Sequence, residues 1–320
     1  MKLLTQGQGP RRWLGALLAT SLALSLAACG GGAAPIEQFI PKRVMAFGDE
    51  TSAITSAGQK YSINAIDSVT LLPICSANPN WVQVLAGAYG VVFAQCNPDN
   101  VAAPQGRMLA KVGAKVEDVR GQLDVFFATD SFSAKDLALL LAGANDVLEL
   151  YGQYPALSRD SLIAEARTRG KLMGEQVNRV AAAGGRAIVS TIPDLGTTPF
   201  ALKERLAKQD IDRVKLLSDL SSEFNTGMRL ALTNDGHRIG LVLMDEFTLT
   251  ATRYPEYSGF VNVTDAACLT TVAIINCTTS TLVPGASAQS WLWATDTLIG
   301  STAQQQLGSM AAQRAANNPF

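Results

Sequence analysis

Val44-Met45-Ala46-Phe47-Gly48-Asp49-Glu50-Thr51 is an apolar run of strand character that stops abruptly at a glycine and two carboxylates. In an open α/β sheet the carboxyl ends of parallel strands face the ligand crevice, so residues just past Phe47 are expected at the mouth of a pocket. Asp49 and Glu50 hold that place here. From this run onward, β-rich apolar segments alternate with helical patterns, the signature of βαβ units and a mostly parallel sheet. The spacing predicts strands over residues 43–47, 90–94, 137–141, 186–191 and 239–244. Helix-length apolar periodicity covers residues 81–89, 115–127, 159–183 and 211–232, with Gly184-Gly185 closing the third helix as a C-terminal cap. Right-handed crossovers then place helices on both faces of the sheet. The expected architecture is α/β: three α/β/α layers around a flavodoxin-like, mostly parallel, five-stranded sheet.

Upstream, Lys2, Arg11 and Arg12 precede an apolar run over residues 13–28 that ends in small residues, the composition of an export leader. Leu26-Ala27-Ala28-Cys29-Gly30 resembles the bacterial lipoprotein box, which implies cleavage before Cys29 and a diacylglycerol on its sulfur. An ordinary secretory signal with a chance cysteine is the competing reading. Gly30 in place of aspartate is similar to outer-membrane sorting, so the expected location is the cell envelope, anchored to the outer membrane. Residues 29–41 read as the lipidated cysteine and a flexible tether, and residues 42–320 as one domain.

The 26 basic residues stand against 27 acidic ones, which leaves no electrostatic footprint for nucleic acid. With Cys29 assigned to lipid, Cys75, Cys96, Cys268 and Cys277 form an even set suited to an oxidising compartment, and four cysteines allow three pairings. Cys75–Cys96 and Cys268–Cys277 are favoured because each closes a short polar loop. There is no CxxC and one histidine, His237, so a structural zinc site is not expected, nor is any cofactor.

Phe47-Gly48-Asp49-Glu50-Thr51-Ser52 resembles the first signature block of the SGNH/GDSL hydrolases, lipases and esterases in which Phe-Gly-Asp-Ser-Leu-Ser is usual and the serine is the nucleophile. Glu50 occupies the nucleophile's slot. Leu139 to Asp146 ends in Gly143-Ala144-Asn145-Asp146 and resembles the family's Gly-x-Asn-Asp block, which implies that Asn145 lends its amide to an oxyanion hole. One such pre-aimed donor lowers a barrier by ~3–4 kcal/mol. The plain alternative is a turn-former after a strand. Met108 to Ala114 departs from the family's glycine block at Met108 and Val112 but keeps Gly113 and Ala114. Gly113 is therefore either a second oxyanion donor or an ordinary turn before a helix. Residues 192–199 and 254–268 are similar to loops of the lipase branch. The family closes on Asp-x-x-His after an apolar strand. Here Asp296 matches and Ile299 stands in the histidine slot, ahead of a helix expected over residues 303–314.

Nucleophile and base are thus lost together, and an isoleucine can neither take nor give a proton. His237 starts the fifth strand at its amino end, away from the pocket, and Ser52 lies two residues past the nucleophile position. The resemblance therefore implies an ester-hydrolase relative with impaired or absent activity, serving as a ligand-binding or envelope-associated protein. Its expected contacts are a bilayer through Cys29 and a small apolar, ester or sugar-like ligand, with Asp49, Gly113 and Asn145 lining the pocket. An alternative keeps catalysis by pairing Glu50 with Asp296 on ester or glycosidic bonds, where an inverting mechanism needs ~6.5–9.5 Å between carboxylates. A third possibility is weak ester hydrolysis through the surviving oxyanion donors alone.

Overall fold

The computed structural model describes residues 38–317 and 320; the leader expected over residues 1–28, Cys29 and the first part of the tether lie outside the described residues. Phe39–Phe320 form one compact unit. Its centre is a five-stranded parallel sheet in the order β2-β1-β3-β4-β5, with β1 Arg43–Gly48, β2 Gly106–Met108, β3 Asp136–Leu141, β4 Arg186–Ser190 and β5 Ile239–Val242. This is the flavodoxin-like order, in which crevices open at the carboxyl ends of the strands. Every residue of β3 is buried, as is β1 from Val44 onward, which requires cover on both faces of the sheet.

That cover comes from eight helices among the described residues: α1 Trp81–Ala88, α2 Val116–Thr129, α3 Ala144–Gly152, α4 Arg159–Ala182, α5 Pro199–Ala207, α6 Arg213–Ala231, α7 Met244–Arg253 and α8 Ser301–Asn317. Helices α2, α3, α4 and α6 pack on one another, and α1 packs on α8, which also lies against β4 and β5. The closest contact is between α4 and α6, where a Cβ on Gly170 would stand 1.9 Å from the Phe224 carbonyl oxygen. Only glycine lets those two backbones approach so nearly. A two-stranded sheet, β6 Asn262–Ala266 with β7 Trp291–Trp293, carries a small separate core around Ile63, Cys268 and Cys277.

The sequence-expected strand over residues 90–94 is not formed. Cys96 N–H donates to the Phe93 carbonyl at 2.9 Å, so the chain turns there, and Gly106 N–H takes the Val92 carbonyl at 2.9 Å as it enters the real edge strand. The fifth strand is also shorter than expected, because Met244 already begins α7. Helices α3, α5 and α7 were not expected from the apolar periodicity. The last helix runs longer than residues 303–314. Disulfides join Cys75 to Cys96 and Cys268 to Cys277.

Candidate functional site

β1 ends at Gly48, whose φ is +128° and whose Cβ, if present, would lie 1.9 Å from the Leu141 carbonyl oxygen of β3. A side chain at this position would force the two central strands apart. The strand end is then locked from α2. Gly48 N–H donates to Gln122 Oε1 at 2.8 Å, and Gln122 Nε2 returns a bond to the Gly48 carbonyl at 2.9 Å. Gln122 is buried on a stripe otherwise made of Val116, Val119, Leu123 and Phe126. A glutamine on an apolar helix face is a signal present in the sequence that strand-based reading passes over.

The following turn buries Asp49 to 2 % exposure. Its Oδ1 accepts the Thr51 N–H at 2.9 Å. Burial, with the neighbouring Glu50 charge added, raises the Asp49 carboxyl well above the ordinary carboxylate range.

β3 ends the same way. Gly143 has φ +129°, and a Cβ there would meet the Phe224 ring at 2.2 Å, so glycine again permits the close approach that starts α3. Asn145 sits in the first turn of that helix. After β2, Leu109 and Ala110 donate to the Ala46 carbonyl and Lys111 N–H donates to the Gly48 carbonyl, which lays the Gly113 turn beside the end of β1. The three blocks, far apart in sequence, meet at one atom. Glu50 Oε2 accepts the Gly113 N–H at 2.8 Å and the Asn145 Nδ2 amide at 3.1 Å. Asn145 Nδ2 also donates to the Ala114 carbonyl at 3.2 Å, which fixes its direction. A backbone N–H and a side-chain amide converging within about 3 Å of one oxygen is the geometry that stabilises a tetrahedral oxyanion. In this chain the oxygen at the convergence point belongs to the protein.

The space left over is small. The cavity at the strand ends, walled by Leu141, Leu148, Pro193, Leu298 and Ile299, has about 20 Å³ of room. That admits one water, whereas ligand pockets run to ~300–1,000 Å³. Ile299 is buried in this wall, and its carbonyl accepts Ser62 Oγ at 3.0 Å.

Asp296 is not brought to Glu50. Its carboxylate is held by Lys203 Nζ at 2.7 and 2.9 Å and borders a different cavity, lined also by Cys268 and Thr270. This corrects the expectation of a Glu50–Asp296 pair across one pocket: the bend at residues 294–298 leaves Asp296 bordering one cavity and Ile299 the other. Ser52 is buried and its Oγ accepts the Trp81 indole N–H at 3.0 Å. His237 lies exposed in the turn entering β5 at its amino end. Behind the site, Asp146 accepts the Val116 N–H at 3.0 Å with Arg169 at 3.5 Å, and burial pushes its carboxyl up to about 6. Among the described residues no group of three or more His, Cys, Asp or Glu side chains is arranged to hold a metal ion.

No protein-family model matches the chain, and no curated protein matches it. Among solved structures it is similar to a member of the lipolytic G-D-S-L family from Veillonella parvula, with 9 % identity over 85 % of this chain and 96 % of that one, and a TM-score of 0.42. It is also similar to the acetylxylan esterase Axe2 of Geobacillus stearothermophilus, with 13 % identity over 88 % of this chain and 96 % of that one, and a TM-score of 0.41.

Proposed function

We propose that the chain is an SGNH/GDSL-type domain whose ester-hydrolysing site is closed from within, and that it works as a lipid-anchored binding or assembly protein of the bacterial envelope. The observation that carries this reading is the double hydrogen bond from Gly113 and Asn145 to Glu50 Oε2. An acyl substrate must put its carbonyl oxygen where that side-chain oxygen already sits. The remaining chemistry is missing as well: Ile299 cannot move a proton, and Asp296 is turned to Lys203. A small apolar, ester or sugar ligand could enter this crevice only by displacing Glu50. The envelope location rests on the leader-like composition of residues 1–28 and on the lipoprotein-box pattern ending at Cys29.

The test is hydrolysis of p-nitrophenyl acetate together with labelling by a fluorophosphonate probe. The unmodified chain should give no covalent adduct and turn over no faster than Glu50→Ala. Hydrolysis that Glu50→Gln abolishes would instead establish Glu50 as a working catalytic group.

A further inference from the structure

A groove of about 500 Å³ runs along the outer edge of β5, between α7 and α8 and away from the strand-end site. That volume lies within the ~300–1,000 Å³ of small-molecule pockets. Its apolar lining comes from the half-buried side chains of Leu241, Leu243, Phe247 and Met310. The strand sets the polar groups that face it. The carbonyls of Arg238 and Val242 accept the N–H groups of Ala187 and Thr191 at 2.7 and 3.0 Å, so alternate residues of β5 face β4 and Leu241 faces outward. There the Leu241 carbonyl accepts Arg314 Nε at 2.9 Å. The arginine reaches it because its stem passes directly over Gly240, where a Cβ would stand 2.9 Å from Arg314 Cγ. The Leu243 carbonyl, farther along, accepts the Phe247 N–H at 3.1 Å. Both carbonyls on this side of the strand are therefore taken, and what the edge offers the groove is donors: the outward Leu241 N–H and the Nη1 and Nη2 groups of Arg314, which meet no acceptor among the described residues.

We propose that this groove binds a small monocarboxylate with an aliphatic body, its carboxylate held by Arg314 and the Leu241 N–H and its chain laid on Leu243, Phe247 and Met310. A guanidinium already fixed through Nε presents its remaining edge as a planar pair of donors, the arrangement that matches a carboxylate bidentately. An extended peptide added to the β5 edge fits less well. Strand addition needs acceptors as well as donors from the edge, and the Leu241 and Leu243 carbonyls are already bonded. A dianionic phosphate is disfavoured by Glu246, which borders the same groove and whose carboxylate comes no nearer a cation than 4.0 Å from Arg229. A cationic amphiphile would leave the Arg314 donors unmet and face their charge. This assignment depends neither on the role of Glu50 nor on an anchor at Cys29.

The experiment titrates sodium decanoate into the ¹⁵N-labelled full chain carrying Cys29→Ser and follows the amide resonance of Leu241. That resonance should move downfield and saturate, whereas 1-decanol at the same concentrations should leave it in place and decyl phosphate should bind more weakly than decanoate. Arg314 is exposed, so Arg314→Gln should fold normally, and it should weaken decanoate binding by roughly tenfold or more. Glu246→Gln should tighten it by about two- to fivefold. The proposal is overturned if decanoate gives no saturable shift at Leu241, or if Arg314→Gln binds decanoate as tightly as the unmodified arginine does. It is overturned equally if decanol reproduces the decanoate shift, since the groove would then read the aliphatic chain alone, or if decyl phosphate binds more tightly than decanoate.

Discussion

The side chain of Glu50 accepts the backbone N–H of Gly113 at 2.8 Å, across 63 residues of sequence. With Asn145 as second donor, that contact leaves both convergent donors at the strand ends taken up by the chain's own carboxyl oxygen. The consequence for restoring activity is specific. Glu50→Ser alone should vacate the donors yet give no labelling by a fluorophosphonate, since a serine hydroxyl without a base is a poor nucleophile. Adding Ile299→His should give labelling at residue 50. A general base is worth ~10²–10⁴-fold, and the low end is expected while Asp296 stays bonded to Lys203. Lys203→Ala in the double variant should then raise the labelling rate further. Equal rates for the single and double variants would contradict this assignment of position 299.

The pH dependence of stability should carry the mark of Asp146. Burial is the largest cause of its rise from 3.8 to about 6, partly offset by the Val116 N–H and by Arg169. A carboxyl raised by folding favours the protonated folded state, so its contribution is present in full below about pH 4 and is lost as pH rises through about 6. Asp146→Asn keeps an acceptor for Val116 without a titrating group. Between pH 4 and pH 7 the stability difference should move in favour of the asparagine variant by up to about 3 kcal/mol. Urea midpoints at the two pH values check this. Parallel wild-type and variant curves would contradict it.

Two glycines in helices should respond to alanine with opposite signs. At Gly170 the new methyl would meet the Phe224 carbonyl at 1.9 Å, and neither backbone can yield cheaply, so a loss of roughly 1–3 kcal/mol is expected. At Gly121 in α2 nothing lies within 4 Å, so the lower entropy of the unfolded chain and the better helix propensity should give a gain of roughly 0.5–1 kcal/mol. Urea denaturation of both variants measures the contrast.

How much of this was legible in the sequence depended on the range of the interaction. β1, β3 and β4 were readable because strands buried on both faces are nearly continuous apolar runs. The edge strand was not. Gly106–Met108 is three residues including a glycine and an arginine, while Val91, Val92 and Phe93 look more strand-like but are turned by the hydrogen bond into Cys96. Helix α3 was hidden because its first turn, Asn145-Asp146, has the composition of a loop. The residues at positions 50, 113 and 145 were each singled out locally. That they share one oxygen was not legible, since it depends on how β1, the Gly113 turn and α3 are stacked. Asp296 shows the limit of a local motif: Lys203, 93 residues away, decides where its carboxylate points.

Lipidation can be tested in the native envelope. If Cys29 carries the diacylglycerol, Cys29→Ser should move the protein from the membrane fraction to the soluble periplasmic fraction. Retention in the membrane fraction after that change would sink the anchor.

The central claim, that Glu50 itself occupies the oxyanion-binding position, is tested most directly by the amide proton shift of Gly113 in ¹⁵N-labelled protein. In the unmodified chain this resonance should lie downfield, as expected for an N–H donating to a carboxyl oxygen at 2.8 Å. Glu50→Ala should move it upfield, and adding acetate to that variant should bring it back as an external carboxylate takes the vacated place. A Gly113 resonance that is unchanged between the unmodified chain and Glu50→Ala would contradict the account.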